Sequence, residues 1–116
     1  GPRTRIAVRA RDELRLVPVE DIVSFIAEQK YTTMKHRGGE ELIEESLKAL
    51  EEEFPALFVR IHRNALVAIG EVEGLERDAE GHHHVRMKGG ATLPVSRRLA
   101  TDVARTLSAR PPPDRS

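Results

Sequence analysis

The sequence predicts a mainly β, α+β domain, built from small antiparallel sheets in a meander around one central helix and closed by a C-terminal helix. Three observations carry this. Short apolar segments alternate with polar residues at the period of two that suits half-buried strands, and they recur at close intervals. Only two stretches have helical spacing. The 116 residues, 39% hydrophobic and 33% charged, are enough for one core and one domain.

The elements follow in order. Ile6 to Ala10 and Leu14 to Val17 read as two strands, with Arg11, Asp12 and Glu13 turning between them. Val19 to Asp21 leads into a third strand, Ile22 to Glu28, where β-branched and aromatic residues dominate. Gln29 to Arg37 alternates as a strand, with Tyr31, Thr33 and Lys35 on one face and Thr32, Met34 and His36 on the other. Gly38-Gly39 closes a hairpin onto the return strand EELIEE. Ser46 is a suitable N-cap for the central helix: Leu47, Leu50 and Phe54 fall at helical spacing, and Pro55 ends it.

Phe58 to Ile69, "FVRIHRNALVAI", reads as strand, tight loop, strand, with Val59 and Ile61 on one face and Phe58, Arg60 and His62 on the other. EVEGLER and HHHVRMK form a further hairpin around Asp78 to Gly81, and ATLPVS is a last extended piece. Ser96 is expected to cap a second helix from Arg97 to about Ser108, striped by Leu99, Val103 and Leu107. Three consecutive prolines then prevent continuation, so 109–116 is expected to be a disordered tail. Residues 5–108 form the domain. Residues 1–4 read as linker and as the scar of a removed purification tag, since the chain begins Gly1-Pro2 without Met.

The chain has no cysteine, which excludes a disulfide scaffold and a thiolate metal site and fits a reducing cytoplasm, the expected location. No apolar run approaches the roughly 20 residues that span a bilayer, and no secretory leader is recognisable, so no membrane partner is expected. The formal net charge is zero, but it is segregated. Glu40 to Glu53 carries seven carboxylates and one lysine, whereas Ser96 to Arg110 carries four arginines and one aspartate. The acidic run reads as a solvated face that would repel nucleic acid, leaving binding to another side.

Catalytic constellations are missing from the sequence. No Ser sits with a His in a Gly-rich elbow, and there is neither a phosphate loop nor a dinucleotide fingerprint. An enzyme and a cofactor are therefore not expected. His82 and His84 would share a strand face, and Glu80 or Glu76 could complete a metal site. A polar, exposed hairpin arm is the simpler reading.

Three donor-rich breaks in the apolar pattern point elsewhere. Lys30, Tyr31 and Thr32 stand where one strand turns into the next and can contact phosphate or a base edge. Arg63 and Asn64 tip a tight loop. Arg can donate twice to guanine, and Asn can read adenine or probe a minor groove. His62 reads either as a DNA contact or as a hydrogen-bonded strand residue, and Arg60 either as a donor or as an ion-pair partner. Ser96, Arg97 and Arg98 open the last helix, where two arginines oppose the helix dipole by a few tenths of a kcal/mol each. That breach of a local rule suggests an anion site.

The run from "VPVEDIVSFIAEQKYTTMKHR" through "FVRIHRNALV" to "LPVSRR" resembles the LytTR-type DNA-binding domain, the output module of many bacterial response regulators. The resemblance covers roughly Arg5 to Leu107. It implies sequence-specific binding of double-stranded promoter DNA with paired direct repeats, for control of transcription. Two loops would enter successive major grooves and one the intervening minor groove, bending the duplex. It further implies an N-terminal receiver domain in the full-length protein and two domains paired on DNA. By position, the first major-groove loop falls on Lys30, Tyr31 and Thr32. The minor-groove loop falls on Arg63 and Asn64, with His62 beside it, and the second major-groove reader on Arg98, with Ser96 and Arg97 alongside. Some members carry His at the position of Thr32, and many carry Ser or Thr at that of Asn64. The alternative is a protein–protein interaction module without DNA binding.

Overall fold

A five-stranded antiparallel sheet forms the middle layer, and each of its faces carries its own apolar core. The computed structural model describes residues 1–109. Its strands are β1 (Arg5–Arg9), β2 (Leu14–Pro18), β3 (Ile22–Ala27), β4 (Thr32–His36), β5 (Gly39–Ile43), β6 (Phe58–His62), β7 (Ala65–Ala68), β8 (Val72–Arg77), β9 (His83–Met87) and β10 (Thr92–Val95). The helices are α1 (Leu47–Glu53) and α2 (Ala100–Ala109). Single 3-10 turns occupy Val19–Asp21, Ile69–Glu71 and Arg97–Leu99. The middle sheet has the order β5-β4-β3-β7-β6; β8, β9 and β10 form a second sheet and β1 and β2 a third.

The alternation read from the sequence explains the two cores. On one face Ile22, Phe25, Met34, Phe58 and Leu66 pack against α1 and the β1–β2 hairpin. The chain's three phenylalanines meet there: the Phe25 and Phe58 ring centroids are 5.2 Å apart and those of Phe54 and Phe58 5.9 Å, both edge to face. On the other face Val59, Ile61 and Val67 pack against Val85, Val95 and Val103 of the smaller sheet and α2. Burying side chains such as Phe25 or Leu50 stabilises by about 1.5–3 kcal/mol each.

Helix α1 has only seven residues, too few to persist alone in water. Two things hold it. Ser46 caps it as expected, its Oγ accepting the Ala49 N–H at 3.1 Å, and Leu47, Leu50 and Phe54 anchor it in the core.

Three expectations are revised. Helix α2 starts at Ala100 rather than Arg97, because a 3-10 turn intervenes, and the Ser96 side chain caps nothing. Helix α2 also continues through Ala109, assigned to the tail by the sequence reading; the remainder of the tail, residues 110–116, lies outside the described residues. Arg3, assigned to the linker, docks against α1 and the residues flanking it. It donates through Nε and Nη2 to Glu53 and through Nη1 and Nη2 to Glu45, and its guanidinium lies 5.9 Å from the centre of the Phe54 ring.

Candidate nucleic-acid interface

Two main-chain hydrogen bonds join the three donor-rich loops along one end of the scaffold. The Ala27 N–H donates to Asn64 O at 2.9 Å, which ties the end of β3 to the β6–β7 loop. The Ser96 N–H donates to Ile61 O at 2.9 Å, which ties the Arg97–Leu99 turn to the end of β6. The β6–β7 loop therefore stands in the middle, between the β3–β4 loop and the turn that opens α2.

The β3–β4 loop is a tight turn closed by Glu28 N–H donating to Tyr31 O at 2.8 Å. Lys30 and Tyr31 are exposed on it. Thr32 is placed differently: it is buried, and its Oγ1 donates to Glu45 O at 2.7 Å. Its hydroxyl braces the loop against the segment that joins β5 to α1 instead of standing on the outer surface.

The middle loop is anchored by Arg60. Its Nε donates to His62 O at 2.9 Å, its Nη2 to Arg63 O at 2.8 Å, and its Nη1 to Glu51 Oε1 at 2.7 Å. His62 is half-buried, and its Nδ1 lies 2.7 Å from Asn64 Oδ1. Arg63 and Asn64 are exposed. The register of β6 on β7 shifts between Arg60 and His62, and neither turn residue has a positive φ, so a bulge accommodates the two-residue connection.

At the third loop Arg97 and Arg98 are exposed, while Ser96 is half-buried with its Oγ shielded and without a partner. Among the described residues no carboxylate pairs with the side chains of Lys30, Arg63, Arg97 or Arg98. Four uncompensated cations on three linked loops form a strongly anion-seeking edge.

The acidic run is less uniform than its composition suggested. Glu41, Glu45, Glu51 and Glu53 are committed to Arg15, Arg3, Arg60 and Arg3. Hydrogen bonds from Arg3 hold the Glu53 carboxyl below its ordinary range, and Arg15, then His36, do the same for Glu41. The run also borders the donor loops. Glu44 and Glu45 line the same shallow depression as Lys30, Tyr31, Lys48, Arg60 and Arg63. The sequence counted Lys48 only as the base within the acidic run and left Arg60 open between a donor and an ion-pair partner; Glu51 supplies that partner, and no local pattern marks it.

At the far hairpin, His82 lies in the turn before β9, 3.6 Å from Asp78 Oδ2 and 3.8 Å from Glu80 Oε2. The Asp78 carboxyl accepts the main-chain N–H groups of His82 and Glu80, which lowers its pKa. No group of three or more His, Asp or Glu residues able to hold a metal ion occurs among the described residues. No helix there is long and apolar enough to cross a membrane.

Among the described residues, the β-scaffold carries exposed cations without carboxylate partners on three hydrogen-bonded loops. The chain belongs to the LytTr DNA-binding domain family, whose family model matches residues 12–108. It is 49% identical over 109 residues to the positive alginate biosynthesis regulatory protein of Pseudomonas aeruginosa, covering 92% of this chain and 44% of that protein. It is 26% identical over 104 residues to the sensory transduction protein LytT of Bacillus cereus, covering 89% of this chain and 42% of that protein. The chain thus spans less than half the length of these relatives. The fold matches the solved LytTr DNA-binding domain of a Bacillus cereus response regulator with a TM-score of 0.80 at 22% identity, over 90% of this chain and 97% of that one.

Proposed function

We propose that this domain is the sequence-specific, double-stranded-DNA-binding output domain of a bacterial two-component response regulator that controls transcription. The carrying observation is the linkage of three loops with unpaired cations by the Ala27–Asn64 and Ser96–Ile61 hydrogen bonds. Lys30 and Tyr31 enter one major groove, Arg97 and Arg98 the next, and Arg63 and Asn64 the minor groove between them. The middle position of the β6–β7 loop supports that order. Arg98 reads a base edge, Lys30 and Arg97 neutralise phosphates, and Thr32, Ser96 and His62 hold the loops in place. The targets are promoter sites with paired direct repeats occupied by two domains, and an N-terminal receiver domain supplies regulation in the full-length protein. The protein works in the cytoplasm without catalysis.

Salt dependence tests this reading. If about 6 phosphates are neutralised, affinity for duplex DNA falls roughly 10³-fold between 50 and 200 mM salt. A nearly salt-independent interaction with another protein, and no duplex binding at low salt, would favour the interaction module instead.

A further inference from the structure

Two loops that enter adjoining grooves must straddle the sugar–phosphate strand between them, because one strand separates each major groove from its neighbouring minor groove. In this chain the surface between the β3–β4 and β6–β7 loops is a shallow depression. Lys30 and Tyr31 border it from one loop and Arg63 from the other, and Glu28, Glu44 and Lys48 also line it. Arg60 reaches it too, but all three of its side-chain nitrogens are engaged within the protein, by His62 O, Glu51 and Arg63 O. Lys48 is different. It is exposed on α1, and no carboxylate pairs with it among the described residues. Its ammonium keeps three donors on a flexible stem.

The charge balance of the depression depends on it. Glu45 is held by Arg3 and Arg60 by Glu51. What stays unpaired there is Lys30, Lys48 and Arg63 against Glu28 and Glu44. The balance is positive, and without Lys48 it falls to zero. We infer that Lys48 neutralises a phosphate of the strand that separates the major groove entered by the β3–β4 loop from the minor groove entered by the β6–β7 loop. The inference rests on the DNA-binding reading above. It brings α1 into the interface through the lone base of the acidic run, on a side that composition alone assigned to repulsion.

The test uses a duplex recovered by this chain from a random library. Lys48→Gln is compared with Lys35→Gln, which removes the same charge from an exposed, unpaired lysine toward the opposite end of β4 from the β3–β4 loop. Circular dichroism confirms that each variant is folded. Lys48→Gln is expected to reduce the slope of log affinity against log salt by about 0.9, so the advantage of the unaltered chain shrinks about 3.5-fold between 50 and 200 mM salt. Base preference stays the same, and Lys48→Arg and Lys35→Gln keep the original slope. A single uncharged methylphosphonate, moved along each strand, should then find one phosphate whose neutralisation weakens the unaltered chain but not Lys48→Gln. An unchanged slope in Lys48→Gln, an equal change in Lys35→Gln, or a scan in which every linkage affects both proteins alike would overturn the inference and leave the DNA-binding reading intact. Failure of the unaltered chain to bind any duplex would overturn both.

Discussion

The main-chain N–H of Ser96 donates to the carbonyl of Ile61 at 2.9 Å, and this bond fixes where Arg97 and Arg98 stand. It pins the start of the 3-10 turn to the end of β6, one residue before His62. The two arginines are thereby carried next to the Arg63–Asn64 loop, although more than thirty residues separate them in sequence. Arg98→Ala is expected to cost about 1–3 kcal/mol in DNA affinity and to relax base preference at one position. Binding measured across a panel of single-base variants decides it: equal losses on every sequence would make Arg98 a phosphate contact.

Lys30 and Thr32 are two residues apart and should respond differently. Lys30→Ala should weaken binding to all sequences alike and reduce the salt slope by about 1. Thr32→Val removes the hydroxyl that donates to Glu45 O in a part-buried hydrogen bond, and its loss should cost about 0.5–1.5 kcal/mol of folding stability. Denaturant melts and base-preference profiles separate the two. A changed base preference in Thr32→Val would show that Thr32 faces the duplex.

Glu51→Gln should weaken DNA binding modestly while Glu52→Gln has no effect. Glu51 is the carboxylate partner of Arg60, and Arg60 holds two carbonyls of the middle loop. The pair is partly exposed, so its direct contribution to stability should stay within about 0.2–1 kcal/mol. Equal behaviour of the two variants in DNA titrations would show that the Arg60 clamp stands without Glu51.

Acid should loosen the N-terminal clamp. Hydrogen bonding to Arg3 lowers the Glu53 pKa in the folded protein, so the unfolded chain binds the proton more readily. The resulting stability is fully present above the ordinary Glu value of about 4.3 and is lost as pH falls through the lower folded value. Arg3→Ala should therefore flatten the loss of stability between about pH 5 and pH 2 relative to the unaltered chain. Identical acid profiles would show that the clamp contributes nothing in solution.

Much of the fold was legible because period-two alternation maps directly onto sheet faces. Phe58 against Val59 and Ile61, and Met34 against Thr33 and Lys35, fell on the faces the spacing assigned. The Ser46 cap was legible because the apolar helical spacing begins at the next residue. Ser96 looked the same and was not a side-chain cap: β10 pairing and the bond to Ile61 O override the local preference and insert a 3-10 turn. Thr32 could not be recognised as a brace, since a hydroxyl beside a turn suits either solvent or a buried carbonyl. The Arg3 clamp reaches 42 and 50 residues along the chain to Glu45 and Glu53, so only tertiary folding creates it. The donor loops themselves were visible as interruptions in apolar strands, but their order along one edge emerged only from the two hydrogen bonds that join them.

Selection of bound duplexes from a random library by this chain, at near-physiological salt, reads out whether the domain discriminates DNA sequence. Sequence-specific binding through the three loops predicts enrichment of a defined motif, repeated in direct orientation, and its loss in Arg98→Ala. A bound pool with no sequence preference over the starting library, held only by weak, salt-sensitive contacts, would contradict it.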